Sequence, residues 1–216
     1  MISKWFVLIV FILISFLHLT FEIKNYKQGR QITKPLLMPL LLLYYLFSVS
    51  NPNYYIIIAL VCGFLGDVFL LWASKQSFLL IGLLAFLTGH IFYILVFLNS
   101  TQYLNTVPYH FYIFLIPYLL LGIYILKQLF PVIKLMKIPT TIYMSIIIIM
   151  SFTSLTRMFS VPFLSFLLTF IGSLCFLLSD TILAFDLFKQ HKKYNDVYVM
   201  STYILAQFLI ILGLII

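Results

Sequence analysis

Asp67, His90, Asp180, Tyr203 and Gln207 stand inside long apolar runs, where a side chain able to move a proton or hold a water is expensive. A charge at the centre of a bilayer costs about 2.5–3.5 kcal/mol even on the lenient insertion scale, so each needs a partner, water or another polar group. Two carboxyl groups and an imidazole are the set that general acid–base chemistry requires, one group giving a proton and another taking one from water. A carboxylic acid withdrawn from water holds its proton more tightly, because burial disfavours the charged form, and catalytic acids are tuned in this way. The bland alternative makes the five into interhelical hydrogen-bond partners, each worth about 0.6–2 kcal/mol. Two aspartates and a histidine at compatible depth favour a functional cavity. An Asp/His set could also ligate a metal, but nothing in the spacing demands one, and neither metal nor cofactor is expected.

Apolar helices must position these residues. The chain has 216 residues, 64% hydrophobic and 8% charged, with a mean hydropathy of +1.16, whereas a soluble domain is about 25% charged. At roughly 20 residues per crossing, the composition predicts an all-α polytopic membrane protein, a single eight-helix transmembrane domain over 1–216. The apolar runs place helices at 5–20, 35–49, 54–73, 78–98, 109–127, 139–157, 162–185 and 197–216. Pro35 is expected to open the second, where its missing N–H costs nothing, and Pro117 to kink the fifth. No small-x-small cleavage site follows the first run, so it reads as a retained helix rather than a signal peptide. His18 and Glu22, four apart on one face at its end, read as a solvated interfacial pair.

The net charge of +8 lies almost wholly between the runs, which makes it a topology signal and not a nucleic-acid footprint. Loops one, three, five and seven hold 11 of the 13 Lys and Arg, Lys134 among them, and a polar loop with His191 precedes the last helix; Lys4 and Arg157 fall on the other side. By the positive-inside rule both termini are non-cytoplasmic. Cys62 and Cys175 lack the paired spacing of a metal or redox motif and read as buried free thiols.

With that topology the five polar residues fall in the inner half of the bilayer or near its midplane, at about 1.5 Å of rise per residue. Gly82, Phe86, Gly89, His90 and Tyr93 share one face of helix four; Gly172, Ser173, Phe176, Ser179 and Asp180 share one of helix seven; Tyr203, Ala206 and Gln207 share one of helix eight. Small residues on such faces let helices approach closely. These seams are expected to converge in one bundle. A weaker pattern relates the halves: CGFLGDVFLLW at 62–72 aligns with CFLLSDTILAF at 175–185, and Lys34-Pro35 with Lys137-x-Pro139, as a four-plus-four parallel pseudo-repeat would require.

Thr33-Lys34-Pro35, Gly66-Asp67, Gly82, Gly89-His90 with Tyr93, Ser179-Asp180, and Ser201-Thr202-Tyr203 with Ala206-Gln207 occur in this order along nearly the whole chain. In them the sequence resembles the YhhN-like membrane proteins, the lysoplasmalogenases. The resemblance implies hydrolysis of the vinyl ether bond of a lysoplasmalogen to a fatty aldehyde and a glycerophospho-base. Such a bond breaks by protonation of its β-carbon and capture of the oxocarbenium ion by water. On this reading Asp67 and Asp180 are acid and base, in either order, and His90 positions water or stabilises the cation indirectly. Tyr93, Tyr203 and Gln207 orient substrate. Lys34 either meets the lipid phosphate or is a topology lysine beside acidic headgroups. The expected partners are a lysophospholipid or ether lipid and the bilayer, in the plasma (inner) membrane if the cell is bacterial; the sequence assigns no oligomeric state. The competing class is a small proton- or cation-coupled transporter or a lipid-binding protein, using the same carboxylates as carriers.

Overall fold

The computed structural model describes residues 3–133, 136–190 and 192–216, so Lys134 and His191 lie outside the described residues. Among these there are eight α-helices and no strand: α1 Lys4–Ile23, α2 Lys27–Ser48, α3 Tyr54–Leu70, α4 Gln76–Ser100, α5 Leu115–Leu129, α6 Lys137–Thr156, α7 Phe163–Phe188 and α8 Asn195–Ile215. A 3₁₀ turn, Tyr109–Phe114, leads into α5, and another, Arg157–Phe159, follows α6. Six stretches are long and apolar enough to cross a membrane: α1, α4, Tyr109–Leu129, Lys137–Phe159, α7 and α8. This is the composition of an integral membrane protein.

The other two helices fall short for different reasons. α3 is apolar but only 17 residues long, against the roughly 20 that a hydrocarbon core takes. α2 is 22 residues long but carries Lys27, Arg30 and Lys34 along its first two turns. It also corrects an expectation: residues 27–34 are helix, not loop, and Pro35 and Pro39 lie inside it. Each proline lacks the N–H that would have reached the carbonyl four residues back. Packing compensates, because polar ties to α1 hold this first stretch against its neighbour. Pro117, expected to kink a helix, instead falls in the first turn of α5, straight after the 3₁₀ segment, where no intrahelical bond is lost.

The chain divides into two compact units, Met1–Tyr93 and Ile94–Leu214, with the break inside α4. In the first, α3 and α4 meet through glycine. A Cβ on Gly89 would lie 3.2 Å from the Ala59 carbonyl oxygen, and one on Gly66 would lie 2.6 Å from the Phe86 ring. In the second, a Cβ on Gly172 would stand 2.9 Å from both Ala206 O and Ile210 N of α8. The small-residue faces read from the sequence are therefore the faces on which these helix pairs close.

Candidate functional site

In the first unit polar side chains tie α1, α2 and α3 together. Glu22, at the end of α1, is 2.9 Å from the Arg30 guanidinium. One turn back, His18 Nδ1 lies 2.8 Å from Thr33 Oγ1; the Thr33 hydroxyl donates to the Gly29 carbonyl (2.8 Å), which leaves its oxygen to accept from the ring. His18 Nε2 is 3.4 Å from Glu22. The pair is not solvated, as the sequence had suggested: His18 is fully buried and Glu22 only 6% exposed. The reason is the early start of α2, which brings Arg30 and Thr33 over a face that a loop would have left open.

The next residue of α2, Lys34, reaches α3. Its Nζ is 3.8 Å from Asp67 Oδ1, with the lysine side chain 15% exposed and the aspartate 2%. The structure thus brings together two candidates that the sequence had assigned to separate tasks, Lys34 to lipid phosphate or topology and Asp67 to acid–base chemistry. His90 and Tyr93, each 1% exposed, lie on the α4 face whose glycines receive α3.

In the second unit Asp180 sits on the buried face of α7 with Gly172, Ser173, Phe176 and Ser179. The Tyr143 hydroxyl, from α6, donates to Asp180 Oδ2 at 2.5 Å. Tyr143 was not among the residues singled out from the sequence, though its depth could have found it. It lies six residues into α6, Asp180 eight from the end of α7, and the short turn between these helices puts both at about 9–12 Å from the same end. On α8, Tyr203 packs edge-on against Phe176 with centroids 5.5 Å apart, Ser179 Oγ donates to the Val199 carbonyl (3.0 Å), and Gln207 is 1% exposed. Asp180, Tyr203 and Gln207 are therefore all buried on the two helices that Gly172 brings close.

A second residue escaped the sequence reading. Arg157, counted there as a loop charge, is 3% exposed, held by hydroxyls of Ser100, Ser165 and Thr169. The four-residue spacing of Ser165 and Thr169 on one face of α7 was its visible signal. Cys62 and Cys175 are free and half-buried. Among the described residues no group of three or more His, Cys, Asp or Glu side chains is placed to hold a metal ion.

Six stretches long and apolar enough to cross a membrane, with a Lys–Asp pair buried in one unit and a Tyr–Asp pair in the other, define an all-helical integral membrane protein that carries ionisable groups inside its helices. The YhhN family model matches residues 29–214, and the chain belongs to that family. Among curated proteins and solved structures none matches it.

Proposed function

We propose that this protein is a membrane-embedded hydrolase that cleaves the vinyl ether bond of a lysoplasmalogen or related ether lysolipid, releasing a fatty aldehyde and a glycerophospho-base. The observation that carries the reading is the buried carboxyl of Asp180 in hydrogen-bond contact with the Tyr143 hydroxyl, in a chain of the YhhN family. Protonating an alkenyl carbon needs a donor held away from bulk water. The Tyr143 hydroxyl holds one exchangeable proton on a short hydrogen bond to Asp180, and Tyr203 and Gln207 on α8 are the substrate-orienting groups. Asp67 beside the Lys34 ammonium is suited to the complementary carboxylate role, taking a proton from water or balancing an oxocarbenium charge. Lys34 then serves its aspartate first. His90 and Tyr93 keep their roles with water and substrate, and no cofactor is assigned.

The membrane arrangement that goes with this function has eight spans, with α2 and α3 crossing as well, and both termini non-cytoplasmic by the charge count. Neutralisation of Lys34 by Asp67 makes the charged α2 less costly in hydrocarbon.

The test is aldehyde release by the purified protein from a short panel of lysolipids, compared with Asp67→Asn, Asp180→Asn and Tyr143→Phe. Loss in both aspartate variants with retained folding is the expected result. Rates near wild type in both would refute the acid–base assignment. The Lys34–Asp67 pair also favours a second reading, since a buried ion pair can exchange its proton for a cation or substrate in a coupled carrier. Uptake into proteoliposomes that depends on a proton gradient, with no aldehyde release from any lysolipid, would select the carrier.

A further inference from the structure

The second unit contains a buried cation that plays no part in the chemistry above. Arg157 donates from Nε to Ser100 Oγ (3.1 Å), from Nη1 to Thr169 Oγ1 (2.5 Å) and from Nη2 to Ser165 Oγ (3.3 Å), and its guanidinium lies 5.5 Å from the Phe97 ring centroid. Every one of these partners is neutral. The chain has five Asp and Glu side chains, and among the described residues none of them forms an ion pair with Arg157. The hydroxyls hand part of the charge on to backbone carbonyls: Ser100 donates to Phe97 O (2.7 Å), Ser165 to Gly213 O (2.6 Å) and Thr169 to Ser165 O (3.0 Å). Two of the three carbonyls lie near the C-terminal ends of α4 and α8, each of which carries only about half an elementary charge. A guanidinium has five N–H donors, of which three are used, and burying a full charge costs several kcal/mol unless an opposite charge comes with it.

The segment beside this cradle is strained. After α4, Gln102, Tyr103 and Leu104 have φ of 48°, 56° and 73°, left-handed backbone that costs an L residue about 1–2 kcal/mol each. The same segment is latched to the turn between α6 and α7 by Thr106 Oγ1 and Ser160 Oγ, 2.6 Å apart. Strain of this kind persists where surrounding structure over-determines it, as at ligand clamps.

We propose that Arg157, with Ser100, Ser165 and Thr169, is a binding site for a phosphate oxyanion, and that residues 101–108 form the strap that closes over it. The hydroxyls hold the planar guanidinium in place, and its two N–H groups not used by them suit a group with several acceptor oxygens. The site is not the aspartate centre, because Arg157 lies about 21 Å along α6 from Tyr143. The phosphate of a lysolipid cleaved beside Asp180 is only a few bonds from its ether oxygen and cannot span that length. The oxyanion is therefore a second lipid's headgroup phosphate or free phosphate.

Two measurements on the purified chain test this: the unfolding temperature in neutral detergent with inorganic phosphate against chloride at equal ionic strength, and native mass spectrometry after reconstitution with phosphatidylglycerol and detergent washing. Wild type is expected to be stabilised by phosphate beyond chloride, which identifies the free ion, or to retain a phospholipid through washing, which identifies the headgroup. Arg157→Gln and Thr169→Val are expected to lose whichever signal wild type shows, and Thr106→Val to keep it with faster exchange. Wild type showing neither signal overturns the proposal, whether or not the arginine variant folds. So does a signal that survives in Arg157→Gln, while its loss in Thr169→Val, with Arg157 retained, supports the cradle independently.

Discussion

The Lys34–Asp67 pair makes a prediction whose asymmetry follows from the unequal burial of its two groups. At 3.8 Å two unit charges attract by about 4 kcal/mol at an effective dielectric of about 20. That figure is an upper value, because both groups lose hydration. Lys34 is 15% exposed at the side chain and Asp67 only 2%, so the two singles should differ. In Asp67→Asn the ammonium is left on a flexible stem that can swing toward the headgroups, and the loss should be about 1–2 kcal/mol. In Lys34→Met the carboxylate is left in an enclosed site it cannot leave, and removing one partner of a buried pair costs about 3–5 kcal/mol. The double variant has no orphaned charge and should be more stable than Lys34→Met alone, a coupling of at least about 1 kcal/mol. Reversible unfolding by titration of a denaturing detergent into mixed micelles, followed by circular dichroism, gives all four corners of the cycle. Additive singles, or Asp67→Asn more damaging than Lys34→Met, would refute the pairing.

Three further outcomes are expected. Tyr143→Phe removes a hydrogen bond to a carboxyl group, worth about 1.5–3 kcal/mol; if the bond serves the transition state, aldehyde release should fall by about ten- to a hundredfold with an unchanged circular dichroism spectrum, and a wild-type rate would remove Tyr143 from the chemistry. Gly172→Ala forces a methyl against backbone of α8 at 2.9 Å and should destabilise by about 1–3 kcal/mol; since Asp180 and Tyr203 sit on the two helices it separates, activity should fall further than stability, and a variant as active as wild type would show that the helices tolerate the separation. Glu22→Gln leaves the partly exposed Arg30 able to reach headgroups and should cost about 1–2 kcal/mol in the same micelle titration, with no change there meaning that the His18–Glu22–Arg30 cluster contributes nothing to the fold.

Helix number, order and approximate bounds were legible because long apolar runs separated by basic or proline-containing gaps leave few alternatives. The exceptions have a common cause. Residues 27–34 looked like loop from charge and from Pro35 alone; they are helical because Glu22 and His18 present partners for Arg30 and Thr33, and tertiary pairing of this kind overrides local composition. Arg157 looked like a topology charge for the same reason. A single sequence displays the cost of burying a cation but not the hydroxyls on α4 and α7 that offset it. Candidate site residues were visible wherever the side chain was conspicuous in apolar surroundings, as Asp67, His90, Asp180 and Gln207 are. Tyr143 was invisible because tyrosine is ordinary in a membrane helix, and the chain has 15 of them; only the neighbouring carboxyl marks one out.

The correspondence between CGFLGDVFLLW and CFLLSDTILAF can now be compared at the level of chemistry within each unit. In both, the helix preceding the aspartate helix supplies the aspartate's polar partner, α2 to α3 and α6 to α7. The aligned lysines nevertheless behave differently. Lys34 reaches Asp67, while Lys137 lies 5.7 Å from the centroid of the Phe130 ring, and the partner on α6 is Tyr143, six residues further along. An ammonium and a phenol both donate to a carboxyl group, the first with a full positive charge and the second through a neutral hydrogen bond. Two aspartates in similar sequence settings thus have different partners, a difference of the kind the proposed division into acid and base requires.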